Sequence, residues 1–159
     1  MNDAHLHMVV NHFPIIGTIF GIGILITGLL LKNNSVINTA YYLFIIAAIF
    51  GILSMSTGEG AEEIVEDFPE IGKAIIHEHE EFAEKLAIIL DFMGGLSLLA
   101  LFLSFKKNSK VKIVSLIILG LGIVSLFLIQ KVGTSGGAIR HTEIRENSTV
   151  SAALDKIHQ

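Results

Sequence analysis

The chain has 159 residues, 52% hydrophobic and 16% charged, with a mean hydropathy of +0.68 and a formal net charge of -4. A water-soluble domain carries about a quarter charged residues, so this apolar excess calls for a bilayer as solvent. With no Cys there is no disulfide framework, thiolate metal site, iron–sulfur cluster or cysteine nucleophile, and without a long basic run no nucleic-acid partner is expected.

Four apolar runs reach the roughly 20 residues that a membrane-crossing helix needs. They are Met8 to Leu31, Thr39 to Thr57, Phe82 to Phe105 and Ile113 to Val132. The expected fold is all-α, a polytopic four-transmembrane-helix antiparallel bundle in one domain over residues 1–145, followed by a polar tail at 146–159. The first run lacks a basic leader and a small-residue cleavage site, so it is expected to stay in the mature protein.

In chain order, the first span opens with Ala-His5-Leu-His7-Met-Val-Val-Asn11-His12-Phe-Pro14. Asn11 suits an N-cap with Pro14 in the first turn, which leaves His5 and His7 above the membrane and His12 at its boundary. Lys32 lies in the short link to the second span, and Lys106, Lys107, Lys110 and Lys112 in the link between the third and fourth, with no acid in either. The cytoplasmic bias of Lys and Arg then puts both links inside and both termini in the periplasm of a bacterial inner membrane. All seven His and every acid fall on the outer side or in the outer half of the membrane.

After the second span, Glu59, Glu62, Glu63 and Glu66 repeat at i, i+3, i+4, i+7 opposite Ala61, Ile64, Val65 and Phe68. That pattern describes an amphipathic helix lying on the periplasmic surface between helices 2 and 3. Asp67 and Glu70 around Pro69 mark the next helix start. On that helix His77, Glu80, Glu81, Glu84 and Asp91 share one face. Asp91 lies 14 residues from Phe105, roughly 21 Å at 1.5 Å per residue, which is inside the hydrocarbon. A carboxyl at that depth needs a partner, and Lys131 or Lys85 is the expected one. In the fourth span Gly133 reads as a C-cap, and Thr134 to Gly137 as a loop that folds Arg140, His141, Glu143 and Arg145 back over the mouth.

Four segments thus bring imidazole and carboxylate to one end of one bundle. The candidate nitrogen ligands are His5, His7, His12, His77, His79 and His141, and the candidate oxygen ligands are Glu59, Glu62, Glu63 and Glu81. Such a donor set suits Fe, Cu, Zn or Mn, while His7, His12, His79 and His141 in an apolar bundle also suit haem b. With Fe, Cu, Mn or haem b, though not with Zn, a redox role is open to such a site. Two other readings stay open. One is a structural or assembly subunit without cofactor, using glycines such as Gly17, Gly21, Gly28, Gly94 and Gly95 for close packing with other membrane subunits or with its own copies. The other is a small transporter. No catalytic residue is assigned.

The chain resembles a family of small four-helix bacterial inner-membrane proteins without an assigned activity. The resemblance rests on His5-x-His7-x3-Asn11-His12-x-Pro14-x-x-Gly17, on Thr57-Gly58-Glu59-x-Ala61-Glu62-Glu63, on a His-Glu pair at His77-Glu78 or His79-Glu80, and on Gly136-Gly137-x-Ile139-Arg140-His141-x-Glu143-Ile144. It implies four transmembrane helices and supplies no reaction.

Overall fold

The computed structural model describes residues 2–66 and 73–141, and every element among them is a helix. In chain order these are α1 (Asp3–Val10), α2 (His12–Leu31), α3 (Asn34–Glu66), α4 (Lys73–Phe105) and α5 (Val111–Arg140). α1 runs on into α2, and the joined helix together with α3, α4 and α5 makes four helices long and apolar enough to cross a membrane. Each of the four apolar runs of the sequence falls inside one of them.

The two inner turns are built alike. Lys32 and Lys107 each take a left-handed backbone, with φ of 52°. The following residue then bonds back five positions, Asn33 N–H to the Gly28 carbonyl and Asn108 N–H to the Leu103 carbonyl, both at 3.0 Å. This closes the preceding helix with a Schellman turn. The Asn33 side chain then accepts from the N–H groups of Ser35 and Val36, and that of Asn108 from Lys110, so one Asn both ends a helix and starts the next.

Contacts along consecutive helices run in opposite chain senses. A Cβ at Gly17 would abut Ala47, one at Gly21 Phe44, and one at Gly28 the Ile37 backbone at 2.8 Å. Gly94 would meet Ala48 at 2.5 Å, and Gly122 would meet Ile22 and Met93. Helices pack this closely in an apolar solvent because dispersion and shape must replace the hydrophobic drive. The core they enclose centres on Leu25, Tyr41, Phe44, Met93 and Ile118, all fully buried. Tyr41 on α3 and Ser115 on α5 share a hydrogen bond of 2.6 Å inside it.

Three local expectations are corrected. Asn11 makes no side-chain cap and sits in a helical turn, because the helix begins earlier: Asn2 caps α1 through the His5 N–H, and His5 and His7 lie within that helix. Residues 58–66 are no separate surface helix: they continue α3, since none of the described glycines takes the positive φ that would end it. For the same reason Gly133 does not cap α5, and Thr134 to Gly137 is helix as far as Arg140. The proposed start at Asp67, Pro69 and Glu70, together with Glu143, Arg145 and the 146–159 tail, lies outside the described residues.

Candidate functional site

Because α1 is helical, it presents His7 to the end of α3, where α1 packs against Ser54, Thr57 and Gly58. The His7 Nδ1 stands 3.1 Å from the Ser54 carbonyl and 3.2 Å from the Thr57 hydroxyl. Thr57 spends its own proton on the carbonyls of Leu53 and Ser54, so both of these groups accept from His7. Nδ1 therefore carries the hydrogen in the neutral ring, and Nε2 is left with its lone pair.

His79 on α4 repeats the arrangement against α5. Its Nδ1 lies 3.0 Å from the Ser135 hydroxyl, which donates its proton to the Lys131 carbonyl at 2.9 Å. Ser135 must accept, so the His79 hydrogen is also on Nδ1 and the lone pair on Nε2. A Cβ on Gly136 would come within 3.1 Å of the ring, a crowding that glycine avoids. Both imidazoles are half-buried, and His79 is within electrostatic reach of His7 across the bundle mouth.

The remaining candidates are placed differently. His5 and His12 are exposed, and the His12 ring turns back to the Met8 carbonyl of its own helix. His77 is exposed and lies 3.9 Å from Glu80. Glu59 and Glu63 are exposed, and Glu81 pairs with Lys85 at 2.6 Å on the surface, where solvent screens the pair. Glu62 and His141 each interact with a neighbouring group. Among the described residues no group of three or more His, Asp or Glu is gathered closely enough to hold a metal ion. Of the ten ligand candidates, His7 and His79 are the two half-buried rings held by a hydrogen bond to the neighbouring helix. The hydroxyls that fix their tautomers, Thr57 and Ser135, each follow a helix-bonded i−4 pattern that sequence spacing alone does not single out.

Asp91 is exposed on α4, and neither expected cation reaches it. Lys85 is held by Glu81. Gly122 abuts Met93 and Gly136 abuts His79, a register that sets Asp91 level with about Val124. Lys131 sits roughly two turns higher, about 10 Å away along the helix. Its ammonium lies 5.9 Å from the Phe82 ring and 5.8 Å from that of Phe127, as cation–π contacts do.

Comparison with family models, with curated proteins and with solved structures finds no match to this chain.

Proposed function

We propose that this chain is a multi-pass protein of a bacterial inner membrane, an antiparallel four-helix bundle whose periplasmic mouth holds a transition-metal centre through the Nε2 atoms of His7 and His79. The observation that carries the reading is the matched pair of tautomers. Each ring gives its Nδ1 hydrogen to an acceptor on the neighbouring helix and keeps Nε2 for a ligand. Metal-binding imidazoles are oriented in this way, the outer hydrogen bond fixing both the tautomer and the ring plane.

Two imidazoles without a third gathered ligand fit a centre that asks the protein for two nitrogens. Haem b iron or a copper ion would be held by the His7 and His79 imidazoles. Either group, when bound, supplies one-electron transfer. The chain's own contribution is to aim Nε2, to leave room for the His79 ring at Gly136, and to keep the site at the membrane edge.

Protein purified from its native membrane in mild detergent should carry a Soret band or near-stoichiometric copper. His7→Ala and His79→Ala should each remove most of it while insertion persists, and His12→Ala should keep it. Burial holds both imidazoles below the ordinary imidazole range, so occupancy should persist through that range and fall only as pH drops beneath it, where protons compete for the ring nitrogens. Protein with neither haem nor metal, before or after incubation with each, would overturn the reading and leave a membrane scaffold.

A further inference from the structure

α4 buries Leu90, Met93, Gly94 and Ser97 on one face and turns Asp91, Gly95 and Leu98 outward. The outward carboxyl lies along the apolar length of the bundle. Gly51 of α3 abuts Leu90 and Gly122 of α5 abuts Met93, so Asp91 between them lies level with apolar helix on both neighbours. The residues around it, Ile88, Phe92, Leu98 and Phe102, are all apolar and exposed, as a lipid-facing surface is. An ionisable group facing hydrocarbon costs a few kcal/mol, and such groups are found paired or facing a protein interior. Among the described residues no hydrogen bond or ion pair engages Asp91, and the register sets Lys131 too high to supply one.

We infer that the Asp91 face of α4 is a contact between two copies of this chain, in which the two Asp91 carboxyls hydrogen-bond to each other. Copies inserted in the same sense are related by a two-fold axis along the membrane normal, and that axis brings Asp91 to Asp91 at one depth. A carboxyl that keeps its proton donates and a carboxylate accepts, so the pair is self-complementary when it shares one proton. Gly95 lies one turn deeper on the same face, and a Cβ there would have nothing within 4 Å, which lets two backbones approach. The alternative partner in a second copy is His12, outward on α2 and about one turn nearer the mouth, which requires a head-to-tail contact.

The chain has no Cys, so a single introduced thiol reports on the contact directly. Leu98→Cys keeps Asp91 and lies one heptad below it; Ile117→Cys is exposed at the same depth on α5. In native membranes under a mild oxidant, Leu98→Cys should give a covalent dimer and Ile117→Cys should stay monomeric. Adding Asp91→Leu, which suits lipid and does not threaten insertion, should cut the Leu98→Cys dimer about tenfold, while Asp91→Asn, also donor and acceptor, should keep most of it. The inference fails if Leu98→Cys cross-links no better than Ile117→Cys, if Asp91→Leu leaves the yield unchanged, or if the thiol captures a different polypeptide. Preferential pairing of His12→Cys with Asp91→Cys in mixed copies would equally overturn it in favour of the head-to-tail contact.

Discussion

The hydroxyls of Thr57 and Ser135 do at residue scale what their helical setting requires. A Ser or Thr inside an apolar helix returns its proton to a carbonyl three or four residues back, which leaves its oxygen free to accept. That habit turns each into a fixed acceptor for an imidazole from the facing helix. Gly136 completes the His79 seat. Gly136→Val would push a side chain into the ring, and metal or haem affinity should fall by about tenfold or more, the cost typical of disturbing an outer-shell contact. Gly58→Ala places a Cβ 3.8 Å from His7, an ordinary contact, and should leave occupancy near that of the native protein. Optical titration or metal analysis of both variants reads the difference, and melting in detergent separates it from misfolding. The histidines themselves were legible in the sequence as a cluster at one end. Which of them are held by a neighbouring helix was not, because it depends on α1 being helical and on the rotation of α4 against α5.

At the scale of elements, the sequence located four membrane-crossing helices but set their outer ends too early. Gly133 reads as a helix stop and Thr134 to Gly137 as a loop, yet they, like Gly58 and Gly60, remain in helical backbone. Neighbours explain the contrast: a Cβ at Gly60 would meet Asp3 of α1 at 2.8 Å, so there the small residue makes room for another helix instead of a turn. The true stops are Lys32 and Lys107, in left-handed backbone that an L residue adopts at a cost of roughly 1–2 kcal/mol. Lys107→Gly should relieve that strain and raise the unfolding free energy by about 1 kcal/mol, seen as a higher melting temperature in detergent. No stabilisation would mean that the turn is held by the Asn108 cap and α4–α5 packing alone. Lysine at these positions is understandable as a topogenic charge retained where glycine would be more stable.

For the whole molecule, the decisive feature is one-sidedness. Lys dominates the two inner turns, and imidazole and carboxylate the opposite end, so orientation decides which compartment the candidate site meets. A cysteine at Asn34 or Ser109 should resist an impermeant thiol reagent in intact spheroplasts, and one at Asn2 should react. The reverse pattern would place His7 and His79 in the cytoplasm. Hydrophobic length and charge bias act residue by residue, independent of which helix packs on which, and so the sequence by itself determined the all-helical class, the four spans and the asymmetry between their ends. Tertiary structure decided the rest. Whether His7 and His79 are held by a neighbouring helix, whether His12 faces inward, and whether Asp91 finds Lys131 depend on helix rotation and register, and these are set by glycine seats and buried contacts between residues far apart in the chain. A shift of two turns between α4 and α5, invisible in either helix alone, separates Asp91 from the lysine that its sequence height suggested and leaves the carboxyl facing outward.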